Sequence, residues 1–225
     1  MRLHIFQHEV TCGPGALQEW LVERGIEAGF TRFYLDKELP PLDDVDALLI
    51  LGGAMNVYQD AEFSYLKPLR TFTREALHAD KRVFGICLGA QIMADALGSR
   101  VRRAEEEEKG WIEIVRCEDA ATSPLLGWLP TRHKFISWHG DTFDVPAGAV
   151  HGAKSATCPA QAFAWGERAL ALQFHPEADA AIVSGWIETE SAAERDHLTS
   201  LFLPYETRYE EQKRLFFAAL DAWIE

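Results

Sequence analysis

Two segments far apart in the chain hold side chains suited to nucleophilic chemistry. Val83-Phe84-Gly85-Ile86-Cys87-Leu88-Gly89-Ala90-Gln91 sets a cysteine at the centre of Gly-x-Cys-x-Gly, the pattern of a nucleophile elbow. The apolar run before it reads as a buried strand, and Leu88 to Leu97 reads as a helix. A strand that turns sharply into a helix holds the central residue strained and exposed. The flanking glycines let neighbouring backbone pass without a Cβ clash. At a helix N-terminus the dipole and free N–H groups favour thiolate. Taken alone, the same pattern serves a packing cysteine equally well.

The second segment is Leu170-Ala171-Leu172-Gln173-Phe174-His175-Pro176-Glu177. Pro176 restricts His175 to extended geometry, and in an extended segment residues two apart face the same side. The Glu177 carboxylate can then fix the tautomer of the His175 imidazole and stabilise its cation. A cysteine nucleophile needs such a base, oriented by a third group. A surface turn after a strand would explain this segment by itself. The two segments together favour a Cys-His-Glu triad of Cys87, His175 and Glu177.

With these motifs the chain resembles the class I, triad-type glutamine amidotransferases. It is most similar to stand-alone proteins related to the amidotransferase domain of GMP synthase. Gly85-Ile86-Cys87-Leu88-Gly89-Ala90-Gln91 matches the family's nucleophile motif, and Gln173-Phe174-His175-Pro176-Glu177 its His-x-Glu motif. Leu51-Gly52-Gly53-Ala54-Met55-Asn56-Val57-Tyr58 resembles its oxyanion strand, and Ser137-Trp138-His139-Gly140-Asp141 the segment that touches substrate through its backbone. Ala90 and Ala54 depart from commoner residues of the family without removing catalytic chemistry.

The resemblance implies a flavodoxin-like fold, a glutamyl thioester on Cys87, and hydrolysis of the side-chain amide of glutamine. It implies no cofactor and no metal. The oxyanion needs preplaced donors. The Leu88 N–H is one candidate, and the Gly52-Gly53 turn, Gly53 foremost, supplies the other. From residue types alone that turn is equally an ordinary strand end. Gln91 lies one helical turn beyond Cys87 and is expected at the amino-acid end of the substrate. Trp138, His139 and Gly140 join it, although His139 reads as a satisfied structural histidine rather than a catalytic one. Met55, Asn56 and Tyr58 are candidates for the pocket wall, Tyr58 equally for packing.

Alternating strands and helices must position these residues. Strands are expected at 3–6, 31–35, 47–51, 81–86, 100–103, 111–116, 135–138, 161–165 and 169–174. Helices are expected at 16–23, 66–78, 88–97, 178–190 and 206–223. Gly25 closes the first helix. This pattern predicts an α/β fold: a doubly wound, mostly parallel sheet flanked by helices, with an antiparallel portion late in the chain. Residues 1–190 form the amidotransferase domain, and 191–225 a helical C-terminal extension on the same domain. Cys12-Gly13-Pro14-Gly15 lacks the pattern of a phosphate loop and reads as a tight turn. Glu105–Glu108 reads as a solvated hairpin tip. The aromatic residues Phe202, Phe216, Phe217 and Trp223 read as core or interface.

Composition narrows the remaining choices. The 225 residues are 48% hydrophobic and 25% charged, ordinary for one globular domain. A net charge of −13 argues against nucleic acid or an anionic membrane as partner. No apolar run approaches the roughly 18 residues of a membrane span. Residues 1–6 lack the apolar stretch of a signal peptide. The four cysteines show no metal spacing and read as reduced thiols of a cytoplasmic protein. The substrate is then glutamine or a γ-glutamyl compound. One reading is a glutaminase subunit that passes ammonia to a separate synthetase or acceptor chain. Another is an independent hydrolase or transferase of γ-glutamyl peptides or amides. A third, a non-catalytic binding protein on the same fold, sits poorly with an intact Cys87, His175 and Glu177.

Overall fold

Apolar runs buried on both faces build the centre of the molecule. In the computed structural model, which describes residues 1–35, 38–202 and 206–225, β3 (Ala47–Ile50) and β9 (Ala169–Leu172) are buried at every position. β4 (Arg82–Ile86) lies between them and is buried after its first residue. Such strands suit the middle of a parallel sheet covered on both sides. The other elements are β1 (Leu3–Gln7), α1 (Ala16–Arg24), β2 (Ala28–Arg32), α2 (Leu66–His78), α3 (Leu88–Ala96), β5 (Val101–Arg116), β6 (Arg132–Phe143), β7 (Val150–Lys154), β8 (Ala162–Trp165), α4 (Ala180–Thr189), α5 (Ala192–Phe202) and α6 (Glu206–Ile224).

One sheet holds the strands in the order β2-β1-β3-β4-β9-β8-β7-β5-β6. β2, β1, β3, β4 and β9 are parallel, and the pairings from β9 to β6 are antiparallel. The doubly wound sheet is therefore as expected, and its late antiparallel portion is four strands. The period-2 alternation of side chains feeds two cores. Leu3, Ile5, Leu49, Phe84 and Leu170 meet α1 and α6 on one face. Phe6, Leu48, Val83 and Ala171 meet α2 and α3 on the other. Truncating Leu49, wholly buried, to alanine would cost about 2–5 kcal/mol.

α1 ends at Gly25, left-handed at φ 61°, where glycine carries no Cβ penalty. α6 closes the first core with Phe216, Leu220 and Trp223, all fully buried. It is tied to α1 by Asp221, which accepts hydrogen bonds from Trp20 Nε1 at 2.8 Å and Arg24 Nη2 at 2.8 Å. The buried Gln212 of α6 accepts the Ile136 N–H at 2.9 Å and donates to the Ala178 carbonyl at 3.0 Å. One side chain thus bridges β6 and the segment just after Glu177. A third cluster holds α4 and α5 against Ile136 and Ala178.

Two local expectations are corrected. The second strand is Ala28–Arg32 rather than 31–35, because parallel pairing of Leu3 with Ala28 through Gln7 with Arg32 sets its bounds. Tertiary pairing here overrides β-propensity. The strands expected at 100–103 and 111–116 are one strand, β5, which runs through the acidic stretch with a register shift between Arg103 and Glu108. β7 is a strand beyond those expected, whereas α5 falls within the segment expected to be helical. Residues 203–205 of the C-terminal segment lie outside the described residues.

Candidate active site

Cys87 occupies the turn between β4 and α3 with φ 51° and ψ −107°, a positive φ that side chains rarely adopt. The glycines on either side explain how the turn closes. A Cβ on Gly85 would lie 2.6 Å from the Gly89 carbonyl, and one on Gly89 would lie 2.1 Å from the Ile50 oxygen. α3 therefore starts in direct backbone contact with β3 and β4. The thiol is mostly buried, with its sulfur 3.9 Å from the Trp138 carbonyl oxygen.

His175 follows β9 and is anchored by its own N–H, which donates to the Ile136 carbonyl at 2.7 Å. Its Nδ1 donates to Glu177 Oε1 at 2.7 Å, which leaves Nε2 for chemistry. Both side chains are almost wholly buried. Burial pushes the imidazole pKa down, but the Glu177 carboxylate and then Cys87 outweigh it and raise it to about 10. The edge of Trp186 from α4 meets the His175 ring at 4.7 Å between centroids. Glu177 is braced from an unexpected direction. The Ala16 N–H donates to its carbonyl at 2.9 Å. Gly15 lies so close, at φ 51°, that a Cβ would sit 2.2 Å from that oxygen. The turn before α1 is thus a buttress of the third member of the trio.

Gly52 and Gly53 close the site from the end of β3. A Cβ on Gly52 would lie 2.8 Å from His175 Cε1 and 3.5 Å from Cys87 Cβ, so only glycine lets this backbone approach the pair. A Cβ on Gly53 would lie 3.1 Å from the Leu88 side chain. The Leu88 N–H belongs to the first turn of α3, where no intrahelical acceptor exists. Two cavities of about 210 Å³ each flank Cys87 and share Gly53, Ala54 and Trp138. One takes in Gln91, His139, Gly140 and Asp141, beneath Arg103 and Lys109. The other takes in His175, Trp186, Cys12 and Glu9. A thiol, an imidazole held by a carboxylate, and facing backbone donors can together open an amide through a thioester.

The class-I glutamine amidotransferase family model matches residues 15–182. The chain belongs to the class I glutamine amidotransferase family. It is 34% identical over 171 residues to one subunit of the glutamine-hydrolysing GMP synthase of Thermoplasma volcanium, across 74% of this chain and 80% of that one. It is 29% identical over 192 residues to the glutamine amidotransferase-like protein YfeJ of Salmonella typhimurium, across 84% of this chain and 80% of that one. The crystal structure of a glutamine amidotransferase from Thermotoga maritima superposes with a TM-score of 0.88 at 28% identity, covering 100% of this chain and 98% of the other.

In this member of the family the expected residues gather around Cys87, though not all with free side chains. Gln91 is buried and donates from Nε2 to the Asp141 carbonyl and to Gln173 Oε1, both at 3.3 Å. Tyr58 is 54% exposed. Burial and the nearby Asp141 carboxylate hold its phenol above the usual range. His139 is satisfied, as its sequence reading has it: Nδ1 lies 3.0 Å from the Asp141 carbonyl and Nε2 3.0 Å from Glu108 Oε2.

Two acidic residues carry more than the sequence suggested. Glu108 is not part of a solvated tip. Only 2% exposed, it also accepts from Thr157 Oγ1 and Gln161 Nε2, each at 2.5 Å, and from Ser155 Oγ. Burial opposes its ionisation, but the hydrogen bonds from His139, Ser155 and Thr157 outweigh that and hold its pKa below the carboxylate range. Asp141 is also buried, and the Tyr58 hydroxyl is the side-chain group that interacts with its carboxylate, at longer range than a full hydrogen bond. On a cavity wall its oxygens therefore keep acceptor capacity for a ligand. The signal for Asp141 was its place in the Ser137–Asp141 motif. For Glu108, the strand alternation through the acidic stretch was the only clue.

Proposed function

We propose that this chain hydrolyses the side-chain amide of glutamine through Cys87, His175 and Glu177. The observation that carries this reading is the 2.7 Å bond from His175 Nδ1 to Glu177, beside a thiol on a strained elbow. Cys87 attacks the amide carbon. His175 holds the thiol proton and delivers it to the departing ammonia, while Glu177 keeps the ring oriented. The Leu88 and Gly53 N–H groups receive the oxyanion. Asp141 meets the substrate ammonium, with Gln91, Trp138, His139 and Gly140 around the same end. Water then enters, His175 takes its proton, and the thioester yields glutamate.

The relative from Thermoplasma volcanium is named as a synthase subunit. In the same way a separate synthetase chain would receive ammonia from this one. The four free cysteines suit a reducing, cytoplasmic setting. Among the described residues no helix is long and apolar enough to cross a membrane. The test is glutamate and ammonia release from glutamine, wild type beside Cys87→Ala. Release should vanish in the variant. Equal release from both proteins would remove Cys87 from the reaction.

A further inference from the structure

His175 lines only one of the two cavities beside Cys87, and this fixes the direction of the substrate. The acid that protonates the leaving nitrogen must face it. The substituent on that nitrogen therefore points into the cavity of His175, away from Asp141 and Gln91. Ammonia has no substituent and needs little room: a water-sized group occupies roughly 10–15 Å³ on the same measure. The cavity offers about 210 Å³.

Its walls say what fits. The indoles of Trp138 and Trp186 stand 5.5 Å apart at 54°. Trp186 is held by a 2.9 Å hydrogen bond from Nε1 to the Thr11 carbonyl. Thr189 and Cys12 continue the lining. Besides His175 and the two cysteine thiols, the ionisable side chain on this wall is Glu9, whose Oε1 accepts from the Ala54 N–H at 2.9 Å and the Cys12 thiol at 3.2 Å. Among the described residues no lysine or arginine lines this cavity. A carboxylate on the leaving group would face Glu9, with no cation other than the His175 ring, already bound to Glu177, to receive it.

Resting on the amide hydrolysis proposed above, we infer that the preferred substrate is a γ-glutamyl amide whose nitrogen carries an uncharged aromatic or alkyl group, packed against the wall that the touching indoles of Trp138 and Trp186 form. The Cys87 sulfur bonds to the γ-carbonyl carbon. The C–N bond breaks as His175 gives its proton to nitrogen, and a free amine leaves through the cavity. Water then loses a proton to His175, adds to the thioester carbon, and the C–S bond breaks to release glutamate and the thiol.

The test compares γ-glutamylbenzylamide, γ-glutamylphenylalanine and glutamine. The leaving groups of the first two differ by one carboxylate-bearing carbon. Wild type should show kcat/KM at least tenfold higher for the benzylamide than for either of the others. Thr189→Trp, which fills the cavity from its rim, should lower the benzylamide-to-glutamine ratio at least tenfold. Glu9→Gln keeps an acceptor for Ala54 and should narrow the gap between benzylamide and phenylalanine derivatives. Cys87-dependent turnover that favours glutamine would overturn the substrate class and leave the thioester chemistry standing. Cys87-dependent turnover that favours the phenylalanine derivative would overturn the exclusion of carboxylates. No Cys87-dependent turnover of any of the three would overturn both readings.

Discussion

Glu108 on β5 meets His139 on β6 at 3.0 Å, a carboxylate–imidazole pair buried on both sides. Both ring nitrogens of His139 face oxygen acceptors, so the ring is held at each end. The pair holds the Trp138–Asp141 segment, the backbone proposed to face substrate, through the His139 ring. Removing one member of a buried pair costs about 3–5 kcal/mol. Glu108→Ala should lose stability on that scale in denaturant titration, and Glu108→Gln less. Both should raise KM for the substrate more than they lower kcat. An alanine variant within about 1 kcal/mol of wild type would show the pair to be no better than a surface one.

Glu177 holds the His175 ring through a 2.7 Å hydrogen bond and raises its pKa, the role proposed for it above. Replacing it with glutamine should lower kcat on the order of a hundredfold or more with little change in fold, judged by steady-state kinetics beside circular dichroism. An unchanged kcat would assign the orienting role elsewhere.

The same carboxylate sets a pH dependence of stability. His175 has a folded pKa raised to about 10, against an ordinary value of about 6.5. The folded state therefore holds more protons across that window, and stability falls as pH rises through it. The contribution is complete below about pH 6.5 and gone above the folded pKa. Denaturant midpoints measured across that window should decline in wild type and decline less in Glu177→Gln. NMR titration should place the His175 pKa lower in that variant. Parallel pH profiles in the two proteins would contradict the coupling.

Strain at Cys87 should be measurable. A residue forced to φ 51° stores about 1–3 kcal/mol, which glycine would release and alanine would not. Cys87→Gly should be more stable than Cys87→Ala, with both inactive. The reverse order would mean that the elbow is relaxed.

The turn before α1 should act on the site through backbone alone. Gly15→Ala puts a methyl group into the Glu177 carbonyl at a positive φ, a destabilisation of more than about 1 kcal/mol. It should lower kcat while leaving the triad side chains intact. Wild-type kinetics would show that the segment after His175 tolerates the shift.

Much of this was legible along the chain. The elbow could be read because its chemistry is local: Gly85, Cys87 and Gly89 lie within one turn, and each glycine answers a clash within that turn or with the adjacent strand. His175 and Glu177 could be paired because Pro176 holds the spacing between them. Central strands such as β3 and β9 announced themselves by unbroken apolar runs. What escaped were long-range partnerships. Glu108 looks like one member of a solvated acidic run, and His139 on β6 together with Ser155, Thr157 and Gln161, brought near by the folding of β7 and β8, make its burial tolerable. The turn at Gly15 could be seen as a turn, but not that it would press on Glu177. β2 was misplaced because its bounds come from pairing with β1, not from its own residues.

The bridge made by Gln212 has a consequence for the order in which the site matures. Strand β6 supplies the carbonyl that anchors His175, and the segment after Glu177 fixes the far end of the same stretch. Both are tied to α6. During synthesis the elbow and its thiol leave the ribosome long before that helix does. Until α6 docks, β6 and the segment after Glu177 lack the two hydrogen bonds that Gln212 supplies.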